Sequence, residues 1–235
     1  MLAFRPHRLT QPTETYSPQF FPGEENPLRK RHYLGISLGT GISPGFQNNR
    51  TDKADATFSP VVGLRYAYAV TPAIRLQTGI LYQGRGGLHA DSTYRSTDFS
   101  FGAETMATTI SPQTLHYLEI PLVADIRLRG RHSLLAGANL SLLLNARSEV
   151  RRQLILPFET QDMETTKEWG YTQGFRPMDM SLTAGYRYYL GRGTRVGFQG
   201  NYGLRDITEQ GFFRNAVMDR NLQFRFILEY DLAHF

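Results

Sequence analysis

Cysteine is absent from this chain of 235 residues, which removes disulfide scaffolds, thiol nucleophiles and cysteine-ligated metals together. No run approaches 18 uninterrupted apolar residues and mean hydropathy is only -0.38, so no segment reads as a membrane-spanning helix. The six histidines are mostly isolated and carry no metal-ligand spacing. The opening stretch MLAFRPHRLTQP has neither the apolar core of about 7 to 15 residues nor the small-residue cleavage site of a secretory signal. Nothing in the composition separates two cores, so one domain with a tail is the expected organisation. The net charge is +5, which raises the question of nucleic acid. The arginines, however, fall one or two per periodic segment rather than in a patch with interleaved aromatics, so no nucleic-acid partner is expected.

Aromatic residues make up 12% of the chain, with 13 Tyr and 15 Phe beside 22 Gly, a mixture suited to strands and interfacial belts. The clearest pattern lies at residues 117–128, YLEIPLVADIRL. Read with a period of two, Leu118, Ile120, Leu122, Ala124, Ile126 and Leu128 share one face, and Tyr117, Glu119, Asp125 and Arg127 share the other. Soluble strands usually run only about 5 to 6 residues, whereas tilted strands of about 9 to 11 residues are what a bilayer core requires. An average that looks soluble is no objection, because half the residues of such a strand face a polar lumen.

The remaining chain follows the same rule. Residues 1–31 hold five prolines and end in Arg29, Lys30 and Arg31, the mark of an extended leader. Periodic segments then cover residues 32–41, 58–70, 73–84, 117–128, 132–144, 177–190, 194–205 and 221–235. Long polar stretches at 85–113, 145–176 and 206–220 alternate with short turns at Thr71-Pro72, 129–131 and 191–193. Eight strands with alternating long and short connections predict an all-β, eight-stranded antiparallel transmembrane β-barrel with short periplasmic turns and long extracellular loops. Residues 1–31 are then a largely irregular periplasmic leader and 32–235 the barrel. Such a chain must cross an inner membrane, so a signal has been removed, the start is misassigned, or the chain is cut from a longer precursor.

The polar faces assign the lumen. Arg65, Arg75, Glu119, Asp125 and Arg127 lie opposite the aliphatic set, as do Asp179, Arg187, Arg225 and Glu229, and together they form the expected lumenal charge network. An eight-stranded barrel is just wide enough for its own side chains, so paired charges are expected to plug it rather than to line an ion path. No catalytic, cofactor or metal site is expected. His132-Ser133 is the single adjacent His/Ser pair and falls beside a periplasmic turn, while His89, Asp91 and Ser92 fall in a polar outer loop.

The run 117–122, YLEIPL, resembles the signature strand of the PorT-like outer-membrane β-barrel family of Bacteroidota. Similar pieces are LGISLG at 34–39, GILY at 79–82, YGLRDI at 202–207 and a last strand ending in an aromatic. The resemblance spans about residues 32–235 and implies an integral outer-membrane location with no established catalytic residues. The founding member is associated with type IX secretion. Phe235 is similar to the signal by which barrel-assembly machinery recognises its clients. The expected function is a non-catalytic barrel that anchors or docks a partner of an envelope secretion or signalling assembly, through the leader or the outer loops. A narrow pore for small solutes and a lipid-modifying enzyme are the alternatives.

Overall fold

A computed structural model describes residues 31–43, 57–86, 92–98, 104–128, 130–156, 159–191, 193–209 and 220–235. Residues 1–30 of the expected leader, and the loop residues His89 and Asp91, lie outside the described residues. The strands are β1 (His32–Ser43), β2 (Thr57–Ala69), β3 (Ile74–Gly86), β4 (Ser92–Asp98), β5 (Glu104–Arg127), β6 (His132–Ile155), β7 (Thr160–Trp169), β8 (Met178–Gly191), β9 (Thr194–Asp206) and β10 (Arg220–His234). Every pairing is antiparallel. In the order β5-β3-β2-β1-β10-β9-β8-β6, with β6 pairing back onto β5, eight strands form a closed ring that leaves no edge of its own. The ring closes where its first and last strands meet. The His32 N–H donates to the Phe235 carbonyl at 2.9 Å and the Phe235 N–H to the His32 carbonyl at 3.0 Å.

Two expected loops turn out to contain strands. Residues 85–113 hold β4 and the first part of β5, and 145–176 hold the rest of β6 and all of β7. The central strand is therefore 24 residues long, not 12. It pairs along its length with the equally long β6. Together with β4 and β7 the two form a four-stranded extension beyond the ring. The alternation is weak there because the few buried apolar residues, Ala107, Ile110 and Val150, are scattered among Thr, Ser and charged side chains. The β-branched threonines of ETMATTI and TQDMETT were the remaining sign of strand.

Around the ring the alternation is kept, and its sense is inverted relative to a water-soluble fold. Leu64 and Leu122 are each 65% exposed, while Glu119 is fully buried and Arg187 and Arg225 nearly so. Most apolar side chains therefore face outward on every ring strand, with Val61, Leu81, Leu135 and Ile227 buried among the inward positions, and most charged ones face inward, as a bilayer demands. Aromatic pairs mark two levels of the outer surface. At the turn end His32 is hydrogen-bonded to the Tyr66 hydroxyl at 2.7 Å and stacks on Phe235, and His132 meets Tyr186 and Tyr188. Nearer the loop end His116 is hydrogen-bonded to the Tyr82 hydroxyl at 2.7 Å and packs on Trp169.

The short connections are built by local chemistry. Thr71 Oγ1 accepts from the Ile74 N–H at 3.0 Å, closing the β2–β3 turn as Ser and Thr commonly do. Gly191 and Gly193 take φ of 105° and 80°, the left-handed region that a side chain disfavours.

Candidate functional site

Inward residues from the ring strands fill the lumen in two tiers. Glu119, on β5, is the centre of the tier nearer the loop end. It accepts two bonds of 2.6 Å from Arg225, one of 2.7 Å from Arg85 and one of 2.5 Å from Gln83. Arg85 also donates to Asp179 at 2.7 Å and to Ser141 at 2.8 Å, while Asn221 donates to Asp179 at 2.8 Å. Burying so many charges is tolerable only because each is met by an opposite one.

The second tier lies towards the turns. Arg187 bridges Asp125 at 2.8 Å and Glu229 at 2.7 Å, and Asp125 accepts further bonds from Tyr189 at 2.8 Å and Gln77 at 3.2 Å. Arg65 and Arg195 both pair with Asp231. Below them Arg75, Arg127 and Arg195 gather around the Tyr189 ring, with guanidinium carbons 5.8, 4.5 and 5.1 Å from its centroid. Between the tiers a cavity of about 30 Å³, bordered by Arg65, Gln77, Arg187, Arg225 and Glu229, has room for about two waters.

The loop end of the lumen is closed by apolar side chains. Leu115, Tyr117, Ala146, Phe175 and Ile207 form one buried cluster, with Leu143 against it. Phe175 and Ile207 come from the connections after β7 and β9. Those connections pair with each other: the Arg176 N–H donates to the Ile207 carbonyl at 2.8 Å and the Glu209 N–H to the Gly174 carbonyl at 2.7 Å.

All nine residues of the expected network point into the lumen. Arg65, Arg75, Glu119, Asp125, Asp179, Arg187, Arg225 and Glu229 are buried, and Arg127 is half-buried at the turn end. Arg85 lies beyond the expected segment 73–84, which stops two residues short of the end of β3, although it continues the inward series of Gln77 and Gln83. Arg195 and Asp231 also complete the network. Arg205, which continues the alternate positions of Arg195, Gln199 and Asn201, is exposed. His132 and Ser133 face opposite sides of the wall, His132 outward onto Tyr186 and Ser133 buried within. Adjacent residues of a strand cannot act as a dyad. Among the described residues no three His, Asp or Glu side chains converge as a metal site.

The extension has its own polar fabric. Arg152 donates to Glu164 at 3.1 Å and Glu168 at 2.9 Å, and Glu168 also accepts from Thr166 at 2.7 Å and Tyr171 at 2.9 Å. The Thr166 and Tyr171 hydroxyls, with the Arg152 charge, hold the Glu168 carboxyl below its usual range. Among the described residues nothing pairs with the outer edges of β4 and β7.

Residues 19–209 match a family model described as an outer membrane protein beta-barrel domain. No curated protein matches the sequence. Similar solved structures include Neisserial surface protein A, at 12% identity and a TM-score of 0.40 over 86% of this chain and 97% of that one. The attachment invasion locus protein Ail of Yersinia pestis is similar at 11% identity and a TM-score of 0.37, over 86% and 99%. An outer membrane channel of Pseudomonas putida is similar at 10% identity and a TM-score of 0.31, over 91% and 100%.

Proposed function

The chain belongs to the outer membrane protein beta-barrel domain family and is an integral protein of the bacterial outer membrane, and we propose that it serves there as a non-catalytic anchor or docking component of an envelope protein assembly, for secretion or signalling. One contrast carries the reading. The lumen is filled by interlocked ion pairs and capped by apolar side chains, whereas β5 and β6 continue past the ring into a sheet whose two outer edges are unpaired among the described residues. An unpaired edge offers backbone donors and acceptors in a row, ready for an added strand. A solute path would have to pass both tiers and the cap, which weighs against the narrow-pore alternative. The opposite orientations of His132 and Ser133 weigh against a lipid-modifying enzyme.

Within the family we place the chain beside the PorT-like branch, on the likeness of residues 117–122, and that placement supports a role in secretion. The basic end of the leader, Arg29 to Arg31, supplies a second, periplasmic contact for a partner, and Phe235 the contact for barrel-assembly machinery. The test is affinity capture from detergent-solubilised envelopes with the full chain and with Thr165→Pro, which breaks the edge strand β7. A partner recovered with the first and lost with the second is expected. Repeated recovery of the barrel alone overturns the docking role, and discrete conductance steps in planar bilayers would favour the pore.

A further inference from the structure

The extension ends in a strand, β7, whose outer edge pairs with nothing among the described residues. Only Thr166 and Glu168 of β7 are half-buried, and the rest of the strand is exposed. Its pairing with β6 orders its side chains. Trp169, Lys167, Thr165, Asp162 and Thr160 stand level with residues 147, 149, 151, 153 and 155 and share one face, while Glu168, Thr166, Glu164 and Gln161 share the other. Met163 has no place in this ladder, because the register shifts between Arg152 and Gln153, as at a β-bulge.

With Met163 set aside the ladder has nine positions, and Thr165 is the fifth. A second β7 laid antiparallel along this edge, overlapping it from end to end, therefore meets it about a two-fold axis through Thr165. In that register Lys167 stands opposite Asp162 of the second copy, and Asp162 opposite its Lys167, all on one face. On the other face Glu168 stands opposite Gln161 and Glu164 opposite Thr166, so no charge faces its like. Opposite charges directly across a strand pair stabilise it, and like charges do the reverse. A parallel arrangement of the same two edges brings each residue level with its own copy, Lys167 with Lys167 and Glu164 with Glu164. The free edge of β4 has Arg95 at its midpoint, so end-to-end antiparallel pairing with itself sets arginine against arginine. A lysine and a bulge commonly protect an edge from pairing, but on β7 the lysine has an aspartate at the matching distance.

We propose that β7 is a homotypic contact, pairing antiparallel with β7 of a second copy of this chain seated in a facing membrane. The inference rests on the reading of the extension as a docking element and names its occupant. Strand direction places the second copy. Two barrels side by side in one membrane are related by an axis along the membrane normal, which points both extensions the same way. Antiparallel pairing needs the second extension to point back, from an apposed surface.

The test reconstitutes the full chain into two batches of vesicles with different lipid dyes and reads their clustering by fluorescence cross-correlation. Vesicles of the unaltered chain are expected to cluster with each other. Asp162→Lys or Lys167→Asp, each carried on both batches, replaces two attractive pairs with two like-charged ones and should cut clustering about tenfold. Mixing Asp162→Lys vesicles with Lys167→Asp vesicles should restore it, because every pair across the axis is again opposite in sign. Arg95→Glu on β4 should leave clustering unchanged. Heat-modifiable migration on gels checks that each variant is folded. Unaltered vesicles that stay apart overturn the proposal, as does undiminished clustering of either folded variant with itself, or a mixture of the two that fails to cluster. If another envelope protein is still captured through β7 when unaltered vesicles stay apart, docking stands and self-pairing alone falls; if nothing is captured, both fall.

Discussion

The two halves of β5 are one continuous strand in two surroundings. From Tyr117 to Arg127 every second side chain is charged, aromatic or otherwise inward, and the residues between are aliphatic and face lipid. From Glu104 to His116 the same backbone carries mostly Thr, Ser and other small or polar side chains, flanked by β4 on one side and β6 on the other. The first half is held by the charges and rings it buries; the second buries only a few small apolar groups, Ala107, Ile110 and Leu115, beside its hydrogen-bonded neighbours. Cutting a charge from the ring should therefore damage the whole molecule, while a comparable cut in the extension should stay local.

The largest effect is expected for Glu119→Ala, which strands Arg85 and Arg225 in the lumen. Removing one partner of a buried pair costs about 3–5 kcal/mol, to be read from urea unfolding in lipid vesicles. A loss below about 1 kcal/mol would mean that water already screens the tier. Next comes a pair of substitutions at residues of similar exposure, Leu122 at 65% and Met163 at 58%. Leu122→Arg puts a cation into the hydrocarbon and should cost about 2–4 kcal/mol, while Met163→Arg on β7 faces water and should stay within about 0.5 kcal/mol. Equal costs would erase the distinction between the two regions.

The smallest effect is a pH response confined to the extension. Because the folded Glu168 carboxyl titrates below its usual range, its contribution is fully present above the ordinary carboxylate pKa. It is lost as pH falls through the depressed folded value. Protection factors, corrected for intrinsic exchange, should fall over that acidic interval for amides of β7 and of residues 147–155 of β6 while those of ring amides do not, and Arg152→Ala should reduce the dependence. An unchanged exchange profile would show that backbone pairing alone holds β7.

The ring was legible because a two-faced strand between lipid and a charged lumen must alternate. Leu118, Glu119, Ile120 and the series around Arg187 therefore disclosed both the strands and their inner face. The extension was not legible, since a Thr-rich strand such as β7, exposed along almost its whole length, has no two-solvent contrast to betray it. Arg85 was lost for a related reason: Gly84 and Gly86 on either side of it read as turn residues. Side chains converging from separate strands, as Arg75 and Arg195 do on Tyr189, were individually visible as inward positions. Which of them meet depends on stagger between strands, which period alone does not specify. The cap of Phe175 and Ile207 comes from two connections whose mutual pairing no local pattern announces.

The hairpin of β5 and β6 reaches, at 24 residues a side, roughly 80 Å at the usual rise per residue, far more than a bilayer's thickness. Its tip and its tight bend thus belong to one rod, laddered throughout. Tension applied at the tip along the rod would load its many backbone bonds in shear rather than peel them one after another, and neighbouring staves would share the strain. A tether gripping this molecule from outside the cell would be pulling on its sturdiest member.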